Sequence, residues 1–280
     1  MISTTDEITE EPDGRLRVAI AGLGAVGLKV AEALDSGLPG LKLVAVSAKD
    51  RAAAAQRLAQ CRHAVPVVSV SDLEPLADIV VECAPSSIFR EIAEPFLRAG
   101  KTVIALSAGA LLANEQLVEL AREFGGKLIV PTGALLGLDA VSAAAEGKIH
   151  SVHMVTRKPV KGLVGAPYLT ENKIGISDIT EPLRVFKGSP RDAATGFPAN
   201  LNVAVALGLA GIGVDDTVLE IWADPNLERN THTIEVVSDS ATFRMSIENI
   251  PTDNPKTGRI TAQSVISCLR KLTTHLRVGS

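Results

Sequence analysis

One histidine, His232, carries the type of side chain that exchanges protons near neutral pH. In the stretch Thr231–Val237, THTIEVV, polar and apolar residues alternate, so His232 shares one face of a predicted strand with Ile234 and Val236. An imidazole on that face is either a buried side chain satisfied by a polar neighbour or an acid/base group at the edge of a cleft. Alternation alone favours the buried, structural role.

A glycine-rich turn near the N-terminus has the spacing that holds a dinucleotide. Gly22, Gly24 and Gly27 form G-x-G-x-x-G between an apolar strand, LRVAIA, and a helical segment. The spacing predicts a tight turn at Gly22, an uncovered backbone at Gly24 where pyrophosphate approaches, and close helix–strand packing at Gly27. A turn without a ligand has the same spacing, but its place between strand and helix favours cofactor binding. The residues predicted to contact the cofactor here are Gly22, Leu23, Gly24, Ala25 and Val26.

The end of the second predicted strand bears on the choice between NAD and NADP. An acidic side chain that binds the adenosine ribose is expected about 20 residues beyond the glycines. The chain has VSAKDR there, so Asp50 comes later than expected and is predicted to cap the following helix. Lys49 and Arg51 are suited to pair with a 2′-phosphate instead. The predicted cofactor is therefore NAD or NADP.

Small side chains follow two later strands of the same pattern. Ala84 and Pro85 come after IVVEC, and Ser107 comes after TVIAL. Open α/β sheets bind their ligands at the carboxyl ends of parallel strands. Ala84, Pro85 and Ser107 are therefore predicted to contact the nicotinamide ribose, although short residues after a strand are also ordinary in loops.

The order of the elements predicts an α/β chain of two parts. Wholly apolar strands alternate with helices over residues 16–132, which indicates a doubly wound parallel sheet of the Rossmann type. After Gly133 the strands alternate polar and apolar residues, which is typical of a largely antiparallel sheet in an α+β domain. The predicted divisions are a disordered tail (1–14), a dinucleotide-binding domain (15–133), a substrate and oligomerisation domain (134–250), and a C-terminal helix that packs back on the first domain (251–280).

The later strands also predict self-association. The segments TVLEIWADP, THTIEVVSDS and ATFRMSIENI are apolar on one face and lie close together in the chain. The sheet that they form needs a second covered face, so a homodimer or homotetramer is expected.

Composition excludes several classes of function. With a formal net charge of −4, a pI of about 5.8 and 3% aromatic residues, the chain has neither a basic field nor a stacking surface for nucleic acid. No apolar run approaches the roughly 20 residues that span a bilayer, so no membrane partner is expected. Cys61, Cys83 and Cys268 stand far apart, which predicts a reducing compartment, the cytoplasm, and no metal site.

Longer motifs run from the glycine turn to the last helix: VAIAGLGAVG, VVECAP, TVIALSAGAL, PTGALLGLDA, NLNVAVALGLAG, ADPNLERNTHTIEV and NPKTGRITAQSV. Together they resemble the L-aspartate dehydrogenase family, which is related in architecture to dihydrodipicolinate reductase and homoserine dehydrogenase. The resemblance implies NAD- or NADP-dependent oxidation of L-aspartate to iminosuccinate, or the reverse reaction from oxaloacetate and ammonia. It also implies that His232 is the catalytic acid/base and that Ala134 and Asn202 contact the cofactor, although Asn202 is also placed to cap a helix.

The substrate-binding part of this resemblance lies mainly before the last helix. Asn254 and Lys256 belong to NPKTG, where family members commonly have NPKTS, and Thr132 stands where serine is usual. A lysine near a helix start opposes the helix dipole unless an anion, such as a dicarboxylate or a phosphate, lies nearby. Lys256 is therefore predicted to bind the substrate, a small acidic amino acid or its imine or keto acid. Thr132 and Asn254 are predicted to bind it as well, although Asn254 is also placed to shape the turn before the helix.

Two other functions fit the same residues. One is a reductase of this architecture that acts on another small acidic imine, keto acid or semialdehyde. The other is a regulator that binds a dinucleotide without catalysis. Activity that ignores ammonia would favour the reductase. If replacement of His232 leaves both cofactor binding and the reaction rate unchanged, the histidine is structural.

Overall fold

The computed structural model describes residues 14–198, 201–251 and 258–279 of the chain. Within these ranges the chain forms two β-sheets, one from each half of the sequence. The predicted tail, residues 1–14, falls almost wholly outside the described residues, and so do the predicted substrate contacts Asn254 and Lys256. In the described ranges no helix is both long and apolar enough to cross a membrane.

The first sheet is parallel. Its strands are β1 (Leu16–Ala21), β2 (Leu41–Ser47), β3 (Val67–Val68), β4 (Ile79–Glu82), β5 (Thr102–Ala105) and β6 (Lys127–Ile129). They lie in the order β3-β2-β1-β4-β5-β6, which confirms the predicted doubly wound sheet. The strand order reverses between β1 and β4, and ligands of such sheets bind in the crevice at that point. All side chains of β4 are buried, which explains why Ile79, Val80 and Val81 are apolar on both faces of the sheet.

Helices cover both faces of this sheet. They are α1 (Ala25–Asp35), α2 (Arg51–Leu58), α3 (Leu73–Leu76), α4 (Phe89–Arg98), α5 (Ala108–Leu111) and α6 (Gln116–Phe124), with short 3-10 turns at Val70–Asp72 and Ser86–Ile88. One apolar core lies between the sheet and helices α1 and α2. A second core lies between the opposite face and helices α3, α4, α5 and α6.

The second sheet has one face against helices and one face outward. Its strands are β7 (Ile149–Pro159), β8 (Leu183–Gly188), β9 (Val218–Asp224), β10 (Asn230–Ser238) and β11 (Thr242–Asn249). The strand order is β11-β10-β7-β9-β8. The inner face packs on a third core together with α7 (Leu138–Ala145), α8 (Pro167–Glu171), α9 (Pro190–Gly196) and α10 (Asn202–Ala210), and a 3-10 turn covers Val160–Gly162.

The second sheet is mixed and larger than the sequence pattern indicated. Its β7–β9 pairing is parallel and the other pairings are antiparallel, in agreement with a largely antiparallel sheet. Strand β8 was not predicted. The register against β9 shifts between Arg184 and Phe186, so Val185 and Phe186 are both buried although they are adjacent in sequence. This bulge interrupts the alternation of polar and apolar residues by which a strand with one buried face is recognised in a sequence.

The last helix, α11 (Arg259–Thr273), lies beside the first sheet rather than the second. Val265 and Leu269 are buried in the same core as Val30 and Leu34 of α1. The chain therefore returns to the first sheet after completing the second. The four divisions given above remain a prediction.

Candidate active site

The glycine turn joins β1 to α1 with the geometry that its spacing predicts. Gly22 has a φ of 97°, and a Cβ atom there would lie 2.6 Å from the carbonyl oxygen of Cys83. A Cβ atom on Gly27 would overlap the carbonyl oxygen of Gly22. Gly24, the residue that precedes α1, has nothing within 4 Å of its Cβ position. The N-terminal end of α1 is thus open to an anion, which is the geometry that a pyrophosphate group requires.

A buried carboxylate connects the turns that follow β4 and β5. Glu82 accepts hydrogen bonds from the backbone N–H groups of Ala84 (3.1 Å) and Ser107 (2.9 Å), and from the Ser107 hydroxyl (3.0 Å). Burial raises the pKa of the Glu82 carboxyl, and the hydrogen bonds from Ser107 and Ala84 oppose that rise. Glu82 therefore fixes the relative positions of two predicted cofactor contacts. Sequence reasoning missed it, although a charged residue at the end of the apolar run DIVVE was a visible signal.

Two asparagines tie neighbouring loops to the same crevice. The Asn202 side-chain oxygen accepts the backbone N–H of Gly109 at 3.0 Å, so it holds the turn after β5 instead of capping its own helix. Asn249, at the end of β11, donates its side-chain N–H to the carbonyl oxygen of Ala134 at 2.9 Å. The loop that contains Thr132 and Ala134 is therefore anchored to the second sheet.

His232 faces inward from β10, and its cross-strand partner is Thr156 on β7. The Thr156 Oγ1 atom lies 3.1 Å from Nδ1 of His232, and both side chains are buried. Burial, and then the positive charge of Lys158, lower the pKa of His232 to about 3. The imidazole is therefore neutral at physiological pH. When Nδ1 carries the ring proton and donates it to Thr156, Nε2 keeps a lone pair that is able to accept a proton.

Lys158 lies two residues beyond Thr156 on the same face of β7 and also lines the cavity. It is 5% exposed, and burial lowers its pKa to about 8. Sequence reasoning missed this residue. The signal was present, because Val152, Met154 and Lys158 fall on one face of an alternating strand and the first two are core residues.

One cavity of about 340 Å³ brings most of the predicted residues together between the two sheets. The predicted residues in its lining are Gly24, Ala25, Val26, Ala84, Ser107, Thr132, Ala134, Asn202 and His232. Unpredicted members of the lining include Lys158, Asn230 and Asn249. Gly22, Leu23 and Pro85 belong to the same turns but are not among the described residues that line the cavity, and Asn254 and Lys256 lie outside the described residues.

The acidic side chain nearest the end of β2 caps the next helix. The Asp50 side chain accepts the backbone N–H of Ala53 at 2.9 Å and caps α2, as expected from the sequence. Lys49 and Arg51 beside it are exposed. Arg57 of α2 donates to the carbonyl oxygen of Leu23 at 2.9 Å, which ties this helix to the glycine turn.

Known proteins are similar to this chain over nearly its whole length. The model of the aspartate dehydrogenase C-terminal domain matches residues 139–272, and that of the homoserine dehydrogenase NAD-binding domain matches residues 22–131. The L-aspartate dehydrogenase of Bradyrhizobium diazoefficiens is 58% identical over 265 residues, which cover 95% of this chain and 94% of that protein. L-aspartate dehydrogenase 3 of Bordetella bronchiseptica is 58% identical over 95% of this chain and 98% of that protein. The crystal structure of aspartate dehydrogenase from Thermotoga maritima matches with a TM-score of 0.72 at 25% identity, over 95% of this chain and 100% of that chain.

Proposed function

The chain belongs to the aspartate dehydrogenase family, and from that premise we propose that it oxidises L-aspartate to iminosuccinate, which hydrolyses to oxaloacetate and ammonia, or runs the reverse reaction. The cofactor is NAD or NADP. The observation that carries the proposal is that His232, paired with Thr156, lines the same cavity as the glycine turn and the loops held by Glu82.

The residues of the first sheet fit a dinucleotide. The uncovered backbone at Gly24 and the open N-terminus of α1 suit the pyrophosphate, and the short side chains of Ala84 and Ser107 leave space for the nicotinamide ribose. When bound, the cofactor supplies the acceptor for the hydride that leaves the substrate Cα.

We assign the proton steps to His232. The substrate ammonium group has to lose a proton before its nitrogen can form a double bond to Cα, and a neutral imidazole is able to accept that proton. Water then adds to the iminium carbon and loses one proton to solvent, and the protonated imidazole returns its proton to the nitrogen as the C–N bond breaks. Thr156 orients the ring by its contact with Nδ1.

The test is the rate at which purified protein reduces NAD or NADP with L-aspartate, followed by the absorbance of the reduced nicotinamide from neutral to alkaline pH. We expect turnover that depends on aspartate, and a reverse rate with oxaloacetate that requires ammonia. A reverse rate that is the same without ammonia would identify a keto-acid reductase. Cofactor binding without turnover in either direction would identify a binding protein.

We also propose that the outer face of the second sheet joins two copies of the chain. The Trp222 ring on this face lies between the guanidinium groups of Arg157 (5.0 Å) and Arg184 (5.9 Å), and Val155 adds apolar surface. A large aromatic side chain flanked by arginines is a composition that protein interfaces favour. Light scattering should give a multiple of the 29.3 kDa chain mass, and Trp222→Glu should reduce it to one chain. A monomeric wild type would overturn this proposal.

The proposed compartment is the cytoplasm. Cys61, Cys83 and Cys268 are all free thiols in the structure, which fits a reducing compartment. Fractionation of cells that express the chain should recover it with the cytoplasmic proteins, and its recovery in a secreted fraction would contradict the assignment.

A further inference from the structure

Lys158 lines the cavity, but the proton transfer assigned to His232 gives this lysine no role. It is the second-to-last residue of β7. Its side chain lies on the same face of the strand as that of Thr156, and it lines the cavity. Asn230 lies two residues before His232 on β10 and lines the same wall. Lysine, histidine and asparagine side chains thus come together at one end of the second sheet, opposite the carboxyl ends of β4 and β5.

The charge of this wall is one-sided. Among the described residues that line the cavity, Lys158 is the only lysine or arginine, and none is an aspartate or glutamate. Its charge is close enough to His232 to lower the pKa of that imidazole. A cation at a largely buried position attracts an anion in the cavity more strongly than a surface cation does, because water screens the interaction less. The wall is therefore suited to a negatively charged group next to the proton acceptor.

We propose that Lys158 binds a carboxylate group of the substrate, and so places the substrate amino group at His232. The inference rests on the proposed function, which supplies the dicarboxylate. Loss of a hydrogen bond between charged groups costs enough binding free energy to weaken the affinity about 10- to 100-fold. The Lys158 ammonium group donates to a carboxylate oxygen throughout the reaction, while the proton moves between the substrate nitrogen and His232.

The direct test measures binding of succinate, a dicarboxylate without an amino group, to the enzyme saturated with NADH, by calorimetry. Lys158→Met should raise the Kd of succinate about 10- to 100-fold and leave the Kd of NADH unchanged. Lys158→Arg, which keeps the charge, should recover part of the affinity. Lys148→Met is the matched control, because Lys148 is exposed just before the opposite end of the same strand.

A second measurement separates substrate binding from a purely structural role. Succinamide, the uncharged analogue, should bind the wild type more weakly than succinate does, and Lys158→Met should remove that difference. Lys158→Gln replaces the methionine variant if the latter fails to bind NADH. In the steady state, KM for L-aspartate should rise much more than kcat falls.

The two proposals fail in different ways. A wild type that binds succinate through Lys158 but does not turn over aspartate overturns the proposed function and keeps the anion site. A wild type that oxidises aspartate, with succinate affinity that is the same in Lys158→Met and Lys158→Gln, overturns the role of Lys158. Failure of the wild type to prefer succinate over succinamide overturns it as well.

Discussion

The two walls of the cavity recognise their ligands by different means. The wall from the first sheet presents glycines and short side chains, and the buried Glu82 accepts backbone hydrogen bonds that hold the turns of Ala84 and Ser107. The wall from the second sheet presents the ionisable side chains His232 and Lys158, with Thr156 behind the imidazole. In the proposed function, the first wall offers the dinucleotide an uncovered backbone at the start of α1, whereas the second wall offers the substrate a charge and a proton acceptor.

The difference predicts that the walls can be damaged separately. A change in the second wall should alter turnover or substrate affinity and spare the cofactor, because the proposed cofactor contacts lie on the opposite wall. A change in the first wall should weaken the cofactor and spare the proton chemistry. A single substitution that weakens cofactor binding and also slows the proton transfer would contradict this separation of roles.

The largest effect is expected at His232. Replacement by asparagine removes the proton acceptor, so kcat should fall by roughly 10²–10⁴ while the Kd of NADH, measured by fluorescence, stays the same. His153→Asn is the control, since His153 lies on the outer face of the second sheet near Glu220. Unchanged turnover in His232→Asn would show that the imidazole is structural.

The first wall gives a paired experiment on two glycines. A Cβ atom at Gly24 meets no neighbour, so Gly24→Ala should keep the melting temperature but raise the Kd of NADH about 10- to 100-fold, because it blocks the approach of the pyrophosphate to donors on α1. A Cβ atom at Gly27 collides with the Gly22 carbonyl oxygen, so Gly27→Ala should lower the unfolding free energy by about 1–3 kcal/mol. Thermal unfolding and NADH titration of both variants provide the comparison. An equal loss of stability in the two variants would contradict it.

The same difference explains what the sequence revealed of the site. The first wall is built from turns that directly follow apolar strands. The strand–helix alternation therefore predicted the sheet, and the glycine spacing and strand ends predicted several of the residues that line the cavity. Glu82 was missed because its partner Ser107 lies 25 residues away in the sequence. The turns of Ala84 and Ser107 come together only when β4 and β5 pair in the folded sheet.

The second wall needs side chains that the sequence keeps far apart. Thr156 and His232 are 76 residues apart and become neighbours only when β7 pairs with β10. Periodicity showed that His232 shares a face with Ile234 and Val236, but neither pairing nor register follows from one strand alone. The role of His232 came from the resemblance. The alternation of β7 placed Lys158 on the inner face, but only the assembled sheet places it in the same cavity as His232.

A smaller effect on the first wall is expected from Glu82→Gln. Glutamine keeps the shape of the side chain but replaces one carboxylate oxygen with an NH2 group. That NH2 group faces N–H or O–H groups that donate to the carboxylate in the wild type, so a buried donor is left without an acceptor. The turns of Ala84 and Ser107 should loosen, and KM for the cofactor should rise about tenfold with kcat nearly unchanged. Glu91→Gln on the exposed surface of α4 is the control. A fall in kcat without a change in cofactor KM would place Glu82 in the proton chemistry instead.

The smallest effect should come from Thr156→Val, which keeps the shape of the side chain and removes the hydroxyl 3.1 Å from His232 Nδ1. One ordinary hydrogen bond is worth about 1 kcal/mol, so kcat should fall about fivefold as the imidazole loses its fixed orientation. Thr156→Ser should restore most of the rate because it returns the hydroxyl. Thr233→Val is the control, since the Thr233 hydroxyl faces Ser246 on the outer side of the sheet. A fall in cofactor affinity in Thr156→Val, with kcat intact, would mean that the second wall also holds the dinucleotide.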